Sequence, residues 1–364
     1  MISDKAMKKR IAITGGAGFV GSNIACMMAR DRPDCDVVAF DNLKRRGSEL
    51  TLSRLKAAGA DFVHGDVRLA SDIAALGSVD LMIECSAEPS VLAGRNGDPS
   101  YVVDTNLNGA LNCIEHLRHT GGEFIFLSSS RVYSIPALLD LPLISAGERF
   151  EIEPGATGQG WSERGIAESF STAGPRSLYG ATKLAAEQFI DEYRAAYGLR
   201  ATVLRCGVLT GPWQMGKVDQ GVITLWLARH VYGGALAYIG HGGEGRQVRD
   251  LLHVADLYDL IAPLTDGIGQ MDGCVYNLGG GRAVSVSLRE LTAHCRRLSG
   301  RELEISAIPE TRPNDVAYFV TDTAQIETAT GWRPKRGVEE TLEDIHRWLI
   351  DERAQLEPIL GGAA

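Results

Sequence analysis

Tyr179 and Lys183 stand four positions apart in SLYGATKLAAEQF (177–189), a spacing that places both side chains on one face of a helix. A free phenol ionises near pH 10 and is a poor base at neutrality. A neighbouring ammonium and a helix N-terminus favour its anion, and each unit of lowering requires about 1.4 kcal/mol. The pair could therefore run a proton transfer, although a Tyr-x-x-x-Lys alone is equally an exposed helix pair. FLSSSRVYS (126–134) raises a similar choice, because three serines and Arg131 end an apolar run. It is either a polar turn after a buried strand or the rim of a site where one hydroxyl does chemistry.

ITGGAGFVGSNIA (13–25) is more specific. Gly15, Gly18 and Gly21 fall between a first strand and a first helix, with Phe19 and Val20 opening the helix. Backbone N–H groups can approach a pyrophosphate there without side-chain obstruction, so the stretch reads as a dinucleotide site. The second strand ends in Asp41, followed by Asn42. A carboxylate about twenty residues after the glycine loop can accept hydrogen bonds from the adenosine ribose, which favours NAD over NADP. Lys44, Arg45 and Arg46 read as a solvated loop, the alternative being a 2'-phosphate site. Asp66 and Val67, in HGDVR, end the third strand within reach of an adenine ring.

These residues need a scaffold, and the first half of the chain supplies the pattern of one. Short β-branched runs (RIAITG, DVVAFD, DFVHGD, VDLMIECS, EFIFLSS, RATVLRC) alternate with helical segments (GSNIACMMARD, GSELTLSRLKAAG, TNLNGALNCIEHLRHT). Such alternation predicts an α/β fold, a Rossmann-type doubly wound parallel sheet with ligands at the carboxyl ends of its strands. Residues 1–206 are expected to form this dinucleotide-binding domain, opened by a short N-terminal tail. The Pro-, Gly- and Ser-rich stretch 135–178 is too long for an ordinary connection and reads as a lid or substrate-contacting insertion. Residues 207–364 are expected to form a smaller, mixed α/β, loop-rich substrate domain ending in the helix GVEETLEDIHRWLIDERAQL, with part of 250–280 returning to the first domain.

Composition narrows the partners. The 364 residues carry a net charge of -9, which argues against a nucleic-acid surface. Seven scattered cysteines without a C-x-x-C pair argue against disulfides or structural zinc, and suggest a cytoplasmic setting. No run is long enough for a signal peptide or membrane span. No metal site is expected.

TGGAGFVG, SSSRVY and YGATK, in this order and with RQVRDLLHVADL and RPNDVAYFVTD later, resemble the extended short-chain dehydrogenase/reductases, specifically the nucleotide-sugar epimerases and dehydratases. The resemblance covers nearly the whole chain. It implies Tyr179 as catalytic acid/base and Lys183 as the residue that lowers the tyrosine pKa and holds the nicotinamide ribose. It selects Ser129, three residues before the Val of VY, as the catalytic hydroxyl. It also implies Asn106 as a structural residue near the cofactor, Ser86 and Ala87 as cofactor neighbours, and Arg249 and Arg312 as diphosphate ligands, for which guanidinium forks suit phosphate geometry. Dehydratases of the family carry an Asp-Glu pair after the catalytic hydroxyl, and its decarboxylases a Glu before VY. Ser130 and Arg131 stand there in this chain, leaving hydride transfer as the expected chemistry.

Within the family, FDNLKRRGSELTLSRLKAAGADFVHGDVR, the long insertion with GWSERG, and KVDQGV resemble the CDP-paratose 2-epimerase branch. The resemblance implies a nucleotide-diphosphate sugar substrate, CDP-linked by preference, epimerised by transient oxidation and hydride return, in a homodimer or homotetramer. The alternatives are a UDP-sugar 4-epimerase, a net nucleotide-sugar reductase, and a catalytically silent dinucleotide sensor. Three stretches depart from the family: ECSAEPS replaces His-x-Ala-Ala, VYS replaces VYG, and Thr210 replaces an aromatic. Arg131, Gln220 with Lys217, Gln247 and Trp213 are substrate-contact candidates. Ser128 and Ser130 read as local backbone partners, His253 as structural, His241 as a glycine-loop residue that could touch substrate, and Cys85 and Cys206 as packing.

Overall fold

The computed structural model describes residues 8–95, 97–217 and 220–361; the N-terminal tail expected from the sequence, and Val218 and Asp219 of KVDQGV, lie outside them. Five strands lead the chain: β1 (Lys9–Thr14), β2 (Cys35–Asp41), β3 (Asp61–His64), β4 (Leu81–Glu84) and β5 (Glu123–Ser129). With Arg200–Cys206 and Val275–Leu278 they form one seven-stranded parallel sheet. Its spatial order is Val275–Leu278, Arg200–Cys206, β5, β4, β1, β2, β3.

Both faces of this sheet are covered, which is why its strands are apolar at nearly every position rather than at alternate ones. Ile11, Ile13, Ile83 and Ile125 pack on one face with Leu257, Leu260 and Ile261 of the helix Val254–Ile261. Ala12, Val38, Met82 and Phe124 pack on the other with Cys113 and Leu117 of Gly109–Thr120 and Ile190 of Leu178–Tyr197. The chain runs outward from β1 to β3, then returns across β1 to β4, so a crevice opens between the ends of β1 and β4. Thr14, Glu84 and Ser129 end the strands around it.

Two segments from the second half of the chain pack on this sheet, the helix Val254–Ile261 against its face and Val275–Leu278 as its edge strand. The remaining C-terminal residues pack the helices Val222–Tyr232, Leu288–Ser299 and Val338–Asp351 around Trp226, Leu227, Leu291, Leu342 and Ile345. Leu288–Ser299 is delimited by its own sequence. Ser287 and Glu290 form a reciprocal capping box at its start, and Gly300, at φ +66°, ends it in a left-handed turn.

The insertion differs from its expected loop character. It contains the helix Ile135–Leu139 and two hairpins, Leu143–Ala146 with Arg149–Ile152, and Trp161–Ser162 with Gly165–Ile166. Its second hairpin is tied to both bodies. Ile166 N donates to Val320 O at 2.8 Å, while Asn277 on the edge strand donates from Nδ2 to Ile166 O at 3.0 Å and from its backbone N to Glu168 Oε1 at 2.7 Å. It is a strap fastened at both ends.

Candidate active site

The glycine loop is shaped by close approach. Gly15 takes φ +63°, and a Cβ on it would lie 2.8 Å from Cys85 O at the end of β4. A Cβ on Gly21 would collide with Gly15 O. Gly18 precedes the first helix, Phe19–Asp31, in extended conformation, so the amides of that helix start carry no side-chain cap. Asp41 braces the loop: its carboxylate accepts from Ala17 N at 3.2 Å and Leu43 N at 2.7 Å, and burial pushes its pKa up against those hydrogen bonds. Asp66 accepts from Asn42 Nδ2 at 2.9 Å and pairs with Arg68 at 2.6 Å. The Arg68 hydrogen bond holds that carboxyl below its ordinary range. Val67 packs where a Cβ on Gly109 would stand, and its carbonyl accepts from Asn112 at 2.8 Å.

The uncapped helix start, the loop free of side chains and a carboxylate ending β2 together fit a dinucleotide pyrophosphate and ribose. Arg45 corrects the expectation of a solvated run at 44–46. Its guanidinium donates to Gln220 Oε1 and to Met215 O, so the loop after β2 is anchored across the crevice. No local signal marks this, since the partners lie more than a hundred residues on.

Tyr179 and Lys183 sit in the first two turns of Leu178–Tyr197, a helix capped by Ser177, whose Oγ accepts from Gly180 N at 3.1 Å. Gly180 is required: a Cβ there would strike the carbonyl oxygen of Arg131. That contact seats the tyrosine helix directly on the turn after β5, and Ser129, Arg131, Tyr179 and Lys183 all line one cavity. Ser129 Oγ accepts from Arg131 N at 3.1 Å, so it is the local backbone partner. Ser128 instead donates to buried Glu187, which corrects its reading as a backbone partner. Asn106, in a π-helical turn, clamps Glu88 N (2.7 Å) and Glu88 O (3.1 Å) and reaches Thr182 Oγ1 at 3.3 Å. Ser86 is buried beside this segment, and Ala87 and Cys85 face the cavity.

The cavity, 650 Å³, carries positive charge on its far side. Arg249 is held by Asp315 (3.2 Å) and by Val316 O (2.7 Å), and Arg312 lines the same wall. Arg131 reaches Asn314 O at 3.4 Å. Burial and the nearby Arg249 push its guanidinium down to about 10, still charged at neutral pH. Gln247 lines the wall with Nε2 donating to Ile239 O at 3.0 Å, and its buried Oε1 has no partner among the described residues. Gln220 also lines it, beside Arg45. Among the described lining residues the one carboxylate is Asp315.

Three further sequence readings resolve here. Trp213 is displaced from the site: it packs on Trp348 (5.9 Å) and under Arg54 (5.0 Å). His253 is structural, capping Val254–Ile261 by accepting from Ala255 N at 3.1 Å. His241 stacks edge-on to Phe150 and faces Asp315 at 3.7 Å, with burial pushing its pKa down. Among the described residues no helix is long and apolar enough to cross a membrane.

A doubly wound sheet with a serine, tyrosine and lysine gathered at its crevice defines a class, and comparison with known proteins identifies it. A profile of the NAD dependent epimerase/dehydratase family matches residues 11–279. The chain belongs to that family: it is an NAD-dependent enzyme of the extended short-chain dehydrogenase/reductase type. CDP-paratose 2-epimerase of Salmonella typhi is 28% identical over 347 residues, covering 93% of this chain and 98% of that protein. UDP-glucose 4-epimerase of Erwinia amylovora is 28% identical over 358 residues, covering 93% and 97%. Among solved structures, the dTDP-glucose 4,6-dehydratase DesIV of Streptomyces venezuelae, with NAD and TYD bound, superposes with a TM-score of 0.76 at 26% identity, covering 96% of this chain and 99% of that one.

Proposed function

We propose that this enzyme inverts one carbon of a nucleotide-diphosphate sugar, C2 of a CDP-linked deoxysugar, by removing and restoring hydrogen at that carbon. One observation carries the reading: Ser129, Tyr179 and Lys183 share a cavity with Arg131, Arg249 and Arg312, and the single lining carboxylate among the described residues, Asp315, is taken by Arg249. Elimination of water needs an acid and a base beyond the tyrosine. Positions 130 and 131, beside Ser129, hold a serine and a guanidinium.

The residues divide the work. Gly15, Gly18, Gly21 and the helix start they open hold the NAD pyrophosphate, and Asp41 holds the adenosine ribose. NAD supplies a hydride acceptor and donor. Tyr179 Oη takes the hydroxyl proton of the reacting carbon and later returns it. Ser129 Oγ already accepts from Arg131 N–H, so its own proton is free to donate to the same sugar oxygen. Arg249 and Arg312 grip the diphosphate. The sugar end is walled by Val91, Leu92, Ile135, Leu138 and Phe319, apolar side chains that do not hold hydroxyls and so let a keto sugar turn over between its two faces. The long insertion supplies Ile135 and Leu138. The CDP-sugar assignment rests on the similarity to the Salmonella relative and on the resemblance read from the insertion and KVDQGV in the sequence.

The test is a panel of CDP-, UDP-, dTDP- and GDP-sugars incubated with the purified enzyme and followed by NMR. Interconversion of a CDP-sugar C2 epimer pair without net NADH is expected. Turnover of UDP-sugars at C4, or stoichiometric NADH change, would replace the reading by a 4-epimerase or a reductase.

Assembly follows from the same helix. Leu178, Phe189 and Tyr197 of Leu178–Tyr197 are exposed apolar residues, and Tyr197 stacks on Tyr193 at 5.0 Å next to Arg118 of Gly109–Thr120. We propose that this face pairs two copies. Phe189→Glu is expected to elute as a monomer under conditions where the unaltered enzyme elutes as a dimer, as read by light scattering; equal masses would refute the assignment.

A further inference from the structure

One interior carboxylate has no part in the chemistry above. Glu84, the last residue of β4, is 1% exposed, and its Oε2 lies 3.2 Å from Nζ of Lys183, itself 2% exposed. The sheet register brings them together: Glu84 pairs with Phe126 of β5, and the Lys183 ammonium rests over the Phe126 ring, 4.3 Å from its centroid. Removing two charges from water is costly, by several kcal/mol per ion, so a buried pair is weak evidence for stability alone. Here the pair is built around a residue of the reaction site.

We propose that Glu84 is a positioning residue that fixes Lys183 in one place and keeps it the cation beside Tyr179. This rests on the proposed role of Tyr179 as proton acceptor. The surrounding groups support it. Lys183 faces Glu84 and Tyr179 as ionisable neighbours, together with the thiols of Cys85 and Cys206, and Cys113 lies near both Glu84 and Lys183. Burial pushes all three thiols up, so they are neutral at working pH. Burial works against both charges of the pair: it pushes the Glu84 carboxyl up, and its effect on Lys183 is more than offset by Glu84, Tyr179 and Cys85 together, so the ammonium is retained. Tyr179 faces Lys183 and Arg131, and Arg131 in turn faces Arg249 and Asp315.

The sign of the effect follows. Without the Glu84 carboxylate, burial disfavours the Lys183 ammonium, and a phenol that loses its neighbouring cation is harder to ionise. The experiment is a pH titration of near-ultraviolet phenolate absorbance in the NAD-loaded protein, with Tyr179→Phe versions subtracted to isolate the one tyrosine. Glu84→Gln is expected to move that transition to higher pH by about one unit, the lower end of what loss of one neighbouring charge produces. The rising limb of the pH–activity profile should move with it, and Glu84→Asp should restore both. An unchanged or downward transition in Glu84→Gln overturns the proposal. If Glu84→Gln fails to fold, Glu84→His carries the same test. The two readings fail separately: a shifted transition with no sugar turned over condemns the substrate reading, and turnover with an unshifted transition condemns the role of Glu84.

Discussion

Tyr179→Phe is expected to lower the rate of sugar epimerisation by about 10²–10⁴-fold, the range removed with a positioned acid/base group, while NAD binding and thermal stability stay those of the unaltered enzyme. The substitution deletes one oxygen and keeps the ring. The helix seat is set by Gly180 against the Arg131 carbonyl and by the Ser177 cap, and neither involves the phenol. A structural role would therefore show as altered melting with little change in turnover. A proton-transfer role shows as the reverse, read by NMR rates and calorimetry on the same sample. Retention of turnover within a few-fold would remove Tyr179 from the mechanism.

Glu187→Ala should produce the largest loss of stability among single substitutions near the site, about 3–5 kcal/mol, because it strands a buried guanidinium. Arg205 donates to Glu187 from Nε (3.1 Å) and from its NH2 group (2.7 Å), with the two side chains only 10% and 6% exposed. Ser128 donates to the same carboxylate. Arg205 also reaches Tyr133 Oη at 3.2 Å, which donates onward to Asn277 Oδ1 at 2.6 Å. Glu187 thus joins the helix Leu178–Tyr197, β5 and the edge strand through one network. Urea unfolding would measure the loss, and Glu187→Ala with Arg205→Met should recover part of it by removing the unpaired charge. A loss below about 1 kcal/mol, the size of an exposed pair, would contradict the buried network.

Legibility in the sequence followed distance along the chain. Gly15, Gly18, Gly21 and Asp41 were readable because a strand, a tight turn and a helix start are specified within about 30 residues of a βαβ unit. Tyr179 and Lys183 were readable from helical spacing, and the six strands named from sequence match the sheet closely. Contacts that depend on lateral packing were not. Glu84 meets Lys183 across 99 positions, and Arg45 meets Gln220 across 175. No local pattern encodes either. Trp213 misled because a tryptophan next to a Gly-Pro reads alike whether it faces a ligand or, as here, an arginine and another tryptophan. The insertion misled through composition: its glycines and prolines mark turns of short hairpins rather than freedom, since hairpins this short hide their period-2 signal.

The strap formed by 161–168 bears on the stiffness of the cavity wall. Ile166 is bonded to both the edge strand of the sheet and the strand leading to Thr321, next to Phe319, which lines the cavity. Moving that strand outward would break these hydrogen bonds together and expose Ile166 and Phe170, both buried. The wall that presents Phe319 is thereby held as a fixed surface rather than a yielding one.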